Sequence, residues 1–232
     1  MRIAILSDIH GNLPALQAVL EDAKKHRLDH YFILGDLIGY YYDNKRVIDI
    51  LNEIPASIIL GNHELLFLKC LEDKVARLNY KKKYGSSIEI ALREFDDDHI
   101  DWIRKLPEQD IIKVDKKLVQ LSHGSPWSID QYVYVDSDPC VFKRLVTCRA
   151  DIIMLGHTHY PLFKKLEKDK ILVNPGSVGQ ARDKGGFASW CIYDDRSRDF
   201  QFQRTPYDVS PLIEKCRTID PNVSYLQRVL LR

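Results

Sequence analysis

The residues of this chain best suited to chemistry are histidines, aspartates and one asparagine, set in five short blocks. They are Asp8-Ile9-His10, Gly35-Asp36, Gly61-Asn62-His63-Glu64, His123-Gly124 and Gly156-His157-Thr158-His159. Carboxylate and imidazole with one neutral amide and no thiolate form a donor set for hydrolytic divalent metals rather than for a cysteine-rich structural zinc site. The ligating side chains on offer are Asp8, His10, Asp36, Asn62, His123, His157 and His159, more than one ion needs. They suit two ions that share a carboxylate and a water, the arrangement that clamps attacking and leaving oxygens in an in-line displacement. Two carboxylates and a bridging hydroxide cannot neutralise two divalent cations, so such a centre attracts phosphate although the chain's formal charge is only +1.

Each block alone is weak: Gly-Asp is a turn, and a lone strand histidine is more often a hydrogen-bonded structural residue than a ligand. Position adds weight. The blocks follow the apolar runs IAIL, YFIL, SIIL, LVQL and DIIML, and the strands of an α/β sheet deliver their carboxyl ends to a common crevice.

The elements that must position these blocks are legible in outline. A strand at Ile3 to Leu6, a helix capped by Asn12 with Leu13, Leu16, Val19, Leu20 and Ala23 at helical spacing, and a strand at Tyr31 to Leu34 make a βαβ beginning. A second helix with Val47, Ile50, Leu51 and Ile54 leads to the run Ile58 to Leu60. Residues 65–106 read as a charged helical insertion, broken at Tyr84-Gly85-Ser86-Ser87. Its Lys81-Lys82-Lys83 run is read as a solvated helix face in preference to a phosphate contact. Hairpins are expected around Asp115-Lys116-Lys117 and Lys168-Asp169-Lys170, and between Phe187 to Tyr193 and Phe200 to Arg204, with a short helix near Val209 to Arg217. No linker or repeat interrupts this pattern, so residues 1–232 are expected to form one domain.

Composition excludes some partners. A near-neutral chain without a Lys/Arg stripe does not bind nucleic acid strongly, which counts against a nuclease. The first apolar stretch is too short for a signal peptide or membrane span, and Cys70, Cys140, Cys148, Cys191 and Cys216 form no C-x-x-C pair, so the cytoplasm is the expected location. A homo-oligomer is compatible with all of this.

Taken in order, the run D-x-H, G-D, G-N-H-E, H-G and G-H-T-H resembles the signature of the calcineurin-like metallophosphoesterase superfamily. The likeness extends through Asn174-Pro175-Gly176-Ser177-Val178-Gly179-Gln180 and Tyr207-Asp208-Val209, which look like the small single-domain bacterial and archaeal branch. The resemblance implies an α/β fold, a four-layer α-β-β-α sandwich of two mixed sheets. It further implies one ion held by Asp8, His10, Asp36 and His159 and a second by Asp36, Asn62, His123 and His157, with manganese the first expectation and iron, zinc, cobalt or nickel alternatives. His63 matches the family's histidine that is not a ligand and serves the leaving group and a phosphoryl oxygen. Glu64 either orients a neighbouring histidine or lies on the surface.

The implied activity is hydrolysis of phosphodiester or phosphoanhydride bonds by a metal-bridging hydroxide. A phosphorylated small molecule is the expected substrate, a nucleotide first, with dinucleoside polyphosphates such as diadenosine tetraphosphate in that class. A phosphomonoesterase or protein phosphatase would use the same residues, and a scaffold of the same fold without catalysis is the contrasting reading. Substrate contacts are expected from Asn62 and His63. Arg182 either binds a second phosphate or pairs with Asp183 on the surface, and Tyr40 either stacks on a base or, in preference, packs.

Overall fold

Side chains of the first strand alternate between two cores, and this sets the layering. In β1 (Arg2–Leu6), Ala4 and Leu6 face one side, Ile3 and Ile5 face the other, and all four are fully buried. A strand buried on both faces must lie between two layers. The structure is a computed structural model that describes residues 1–232.

Two five-stranded mixed sheets result. The first runs β10 (Asp199–Pro206), β9 (Phe187–Asp194), β1, β2 (His30–Ile33), β3 (Ala56–Ile58). Its β1, β2 and β3 are parallel, and β9 is antiparallel to both its neighbours. The second runs β4 (Gln109–Val114), β5 (Lys117–Ser122), β6 (Ile152–Met154), β8 (Ile171–Pro175), β7 (Pro161–Lys165), with β5, β6 and β8 parallel and both edge strands antiparallel. The three expected hairpins are therefore present.

Between the sheets, Ile3, Ile5 and Phe32 meet Val119, Leu121 and Met154 in a dry core. Each such apolar side chain contributes on the order of 1.5–3 kcal/mol when fully buried, enough to fix the strand register, since a one-residue slip would move every side chain to the wrong core. Outside the first sheet, α1 (Leu13–Ala23) and α2 (Asn44–Glu53) pack Leu16, Val19, Val47 and Leu51 against Leu6, Ile33 and Trp190. Outside the second, Leu145 of α7 (Pro139–Thr147) meets Ile153, Leu155 and Leu172. The order helix, sheet, sheet, helix is the expected four-layer arrangement.

The insertion is more finely divided than its sequence pattern predicts. It comprises α3 (Asn62–Glu72), α4 (Lys74–Tyr84), α5 (Ser87–Glu94) and α6 (Asp97–Lys105). The break after Tyr84 falls where expected. Two more occur where Asp73 Oδ1 accepts from the Val75 and Ala76 amides and Asp96 Oδ1 accepts from that of His99, caps hidden among many other charges. Helix α3 also begins ahead of residue 65, so Asn62 and His63 lie in its first turn. At the other end, α8 (Ser210–Ile219) and α9 (Tyr225–Arg228) pack on Tyr40, Tyr41 and Tyr42.

Candidate metal centre

The five blocks come from two sheets rather than one. Asp8, Asp36 and Asn62 follow β1, β2 and β3, while His123 and His157 follow β5 and β6, so the crevice lies where the two sets of strand ends converge. The loops are locked beyond the strands: the Asp8 amide donates to the Gly35 carbonyl at 3.1 Å, that of His10 to Asp36 at 2.9 Å, and that of Gly156 to His123 at 2.8 Å. This forces φ to 54° at Asp8, 53° at His10, 52° at Asp36, 65° at His157 and 63° at His159. Left-handed backbone at non-glycine residues costs about 1 kcal/mol each, although Asp and His tolerate it better than branched residues. Five such residues in one site are a sizeable fraction of a normal folding free energy, so the surrounding bonds must hold them.

The donor atoms are oriented for cations. His10, His123 and His159 each place Nδ1 against a backbone carbonyl, of Ile38 at 3.2 Å, Leu34 at 2.6 Å and Gln180 at 2.8 Å. With Nδ1–H donating, each ring directs Nε2 inward, where its lone pair can bind a cation. His157 is reversed: its Nε2 lies 3.0 Å from the Asp130 carbonyl, which leaves Nδ1 for the site. Ligand atoms of Asp8, His10 and His159 lie within 4.8 Å of one another, as do those of Asp36, His123 and His157. Asn62 Oδ1 joins the second group, 3.0 Å from His123 Nε2.

Lone pairs and carboxylates crowded together repel unless positive charge sits among them. Asp8 Oδ1 is buried with no hydrogen-bond partner, 3.2 Å from His159 Nε2 and 3.8 Å from His10 Nε2. An orphaned buried carboxylate oxygen is costly, and a cation at this position would satisfy it. Titration agrees. Burial would lower His123, but the Asp36 carboxylate 3.3 Å away reverses this and pushes it up to about 10. Burial would raise Asp36, yet the His123 and His63 imidazoles hold it well below the usual range. A proton taken up by His123 would stand in for the charge a metal brings, and a bound metal would displace it. The residues present fit divalent metal ions.

A model of the calcineurin-like phosphoesterase superfamily domain matches residues 1–197. The chain belongs to this superfamily. It is 31% identical over 230 residues to an uncharacterized protein of Methanocaldococcus jannaschii, covering 92% of this chain and 90% of that one. Its fold matches a metallophosphoesterase of Sphaerobacter thermophilus with TM-score 0.82 and 26% identity, over 99% of this chain and 98% of that one. A hypothetical protein of Pyrococcus horikoshii matches in fold at TM-score 0.81 and 19% identity, covering 100% and 98%. The chain is thus a calcineurin-like metallophosphoesterase, a hydrolase of phosphoric ester bonds with a candidate His/Asp metal cluster.

Glu64 and the Asn174–Gln180 loop support the candidate site in ways their sequence does not specify, and Tyr80 and Gly39 carry no sequence signal for the part they play. Glu64 neither orients a histidine nor reaches the surface. It is fully buried, and its Oε1 accepts from the Leu37 and Ile38 amides at 2.8 and 3.1 Å while its Oε2 accepts from Asp36 and Gly61 at 2.9 and 2.7 Å. Ser177 Oγ donates to the Asp8 carbonyl at 2.7 Å, and Asn174 Nδ2 to that of Gly156 at 2.6 Å, so the Asn174–Gln180 loop braces the metal loops from behind. Tyr80 of α4 places its hydroxyl 2.8 Å from His63 Nδ1. A Cβ on Gly39 would come within 2.2 Å of that same nitrogen, and Gly39 has φ +95°, so only glycine fits. Only the glycines could have hinted at this close packing.

The phosphoesterase's flanking residues divide. Tyr40 is buried, 4.6 Å from the His10 ring and 4.8 Å from that of His63, so it packs behind the site and is not a base platform. Arg182 does not pair with Asp183, which is bound to Arg204 instead. Its amide donates to the His159 carbonyl at 3.3 Å, and its Nε is buried without a partner. The lysine run is exposed throughout, as expected of a solvated helix face; Lys81 pairs with Glu89 at 2.7 Å, and Lys83 also borders a cleft beside Asn62 and His157. His63 has a ligand atom within 4.8 Å of those of His10 and Asp36, but its Nδ1 is engaged by Tyr80. No helix is long and apolar enough to cross a membrane.

Proposed function

We propose that this chain hydrolyses phosphodiester or phosphoanhydride bonds of nucleotides, dinucleoside polyphosphates included, using two divalent ions, with manganese the most effective. The observation that carries the reading is that two donor clusters share one edge, with Asp36 in reach of both His10, at 3.6 Å, and His123, at 3.3 Å. Asp8, His10, Asp36 and His159 would hold one ion, and Asp36, Asn62, His123 and His157 the other. Bound there, divalent ions supply the positive charge that acidifies water and offsets the charge of the phosphoryl group.

His63 is assigned to the leaving group. Burial, with His123 and His159 adding to it, brings its pKa down to about 4 although Asp36 opposes this, so at neutral pH the ring is uncharged. With the Tyr80 hydroxyl donating to Nδ1, Nε2 carries the hydrogen. A neutral imidazole of this kind stabilises a phosphoryl or leaving oxygen by hydrogen bonding rather than by giving up a proton. Arg182, always charged and lacking a carboxylate partner, is assigned to a second phosphate. Residues 1–232 act as one unit in this reading, supported by Asp220, which accepts from Ser86 and Tyr42 and so ties the C-terminal helices to the insertion. The absence of any cysteine pairing supports a cytoplasmic setting.

A panel of nucleotide diesters, dinucleoside polyphosphates, phosphomonoesters and a phosphoprotein, assayed with manganese, tests the reading. Wild type should favour the diesters or anhydrides, and preference for monoesters would replace the proposal with a phosphatase. His63→Ala should keep its metal and lose about 100-fold in turnover on poor leaving groups. Asp36→Asn should lose activity together with the thermal stabilisation, about 5–10 °C, that saturating manganese gives the chelator-treated wild type. Undiminished hydrolysis by Asp36→Asn would refute the shared carboxylate.

A further inference from the structure

Next to Asn62 and His157 the surface opens into a cleft of roughly 440 Å³, within the range that binds small ligands. Its walls differ in chemistry. From α3 and α4 come the ammonium groups of Lys69 and Lys83, both exposed and neither in an ion pair, in contrast to Lys81. Lys83 Nζ sits 4.8 Å from the centroid of the Tyr84 ring, which holds the chain toward the cleft. From the loop after β5 comes Tyr132, its ring 4.1 Å from that of His157 and inclined by 31°, yet still 45% exposed. Leu65, Leu66 and Ile129 add apolar surface. The single carboxylate on the cleft, Asp130, accepts a hydrogen bond from Ser128 Oγ at 2.7 Å, so the two lysines leave the rim net positive.

An exposed tyrosine resting on a ligand histidine, beside two unpaired ammonium groups, is a surface that offers stacking and anion binding within one ligand's length. We propose that this cleft is a subsite for a phosphate carried on a planar aromatic group. Lys69 and Lys83 bind the phosphate, Tyr132 stacks on the ring, and Asn62 and His157 connect the subsite to the hydrolytic centre. The inference rests on the phosphoester-hydrolase reading and specifies what lies beyond the scissile phosphorus: a second anionic group and a ring, as in a nucleotide. A lone exposed ammonium gains little from a phosphate in water, at most about fivefold in affinity. Stacking of a base on an aromatic side chain strengthens binding by about 5- to 150-fold, so Tyr132 should matter at least as much as either lysine.

Calorimetric titration of the manganese-loaded protein with AMP, inorganic phosphate and adenosine tests the assignment. Wild type should bind AMP more tightly than either fragment. The double variant Lys69→Ala/Lys83→Ala should weaken AMP about tenfold, and Tyr132→Ala should weaken AMP by a similar factor while leaving inorganic phosphate unchanged. Lys82→Ala, which removes a neighbouring charge that does not line the cleft, should change neither. AMP affinity unaffected in the double variant, or reduced equally by Lys82→Ala, overturns the subsite. So does a Tyr132→Ala variant that binds AMP as wild type does. Hydrolysis of a p-nitrophenyl phosphodiester by the wild type, measured in parallel, reads the activity of the centre independently. An inactive protein whose AMP affinity still follows these variants would sink the proposed function and leave the cleft standing.

Discussion

Glu64 supports Asp36 through the backbone: one carboxylate oxygen accepts the amides of Asp36 and Gly61, joining the Gly-Asp and Gly-Asn-His-Glu loops at a single point. The other oxygen takes Leu37 and Ile38, so all four contacts come from N–H donors. Burial, followed by the Asp36 charge, pushes the Glu64 carboxyl up to about 7, but only the carboxylate can accept from all four. Whichever oxygen is replaced, Glu64→Gln sets an NH2 against two buried amides. The expected result is a loss of about 2 kcal/mol in urea unfolding at pH 8, with weaker manganese binding by titration. Unaltered stability and metal affinity together would show that the loops hold Asp36 without Glu64.

Tyr80 makes a comparable claim on His63 from a different element. Its hydroxyl also receives the Tyr40 amide at 3.4 Å, which leaves its own hydrogen free to fix the His63 tautomer. Tyr80→Phe keeps the ring packed against His63 and Tyr84 but frees Nδ1 to take the hydrogen. Turnover should fall about tenfold with KM nearly constant, because the lost hydrogen bond acts on the transition state. A residue that only filled space would lower the melting temperature and leave kcat alone, and that outcome would remove Tyr80 from the positioning role.

How much of this was legible depends on whether the signal was local. The strands and hairpins were, because β1, β2 and β6 carry unbroken apolar runs and polar turns separate the hairpin strands. The site types were legible too, since glycine beside aspartate or histidine marks the left-handed turns seen at Asp36 and His157. What escaped was long-range: the bonds of Glu64 cross from α3 to the loop after β2, and Ser177 reaches back to Asp8 from 169 positions away. A carboxylate paired only with backbone amides leaves no partner residue in the sequence to suggest it. The same holds for Lys83, distinguished from Lys81 and Lys82 only by the turn of α4 toward the cleft.

The last expectation concerns a contact far from the metal centre, where α2 meets α6. The His99 ring stacks on Phe95 and lies between two carboxylates, with Nε2 2.9 Å from Asp49 Oδ1 and Nδ1 bonded to Asp96. Burial lowers its pKa and Lys45, 2.8 Å from Nε2, opposes the charge as well, but the bonds to Asp96 and Asp49 prevail and the net shift is upward. A histidine whose folded pKa exceeds its unfolded value near 6.5 gives stability that is complete below that value. That stability is lost as pH rises through the folded pKa. Urea unfolding of the wild type should therefore show a decline from pH 6 toward pH 9 that is smaller in His99→Gln, where the proton-linked bonds are gone. At pH 6 the variant should be less stable by about 1 kcal/mol, with the two curves converging at high pH. Parallel curves at all pH values would mean that the two carboxylates hold a neutral ring, and that α2 and α6 are joined by packing alone.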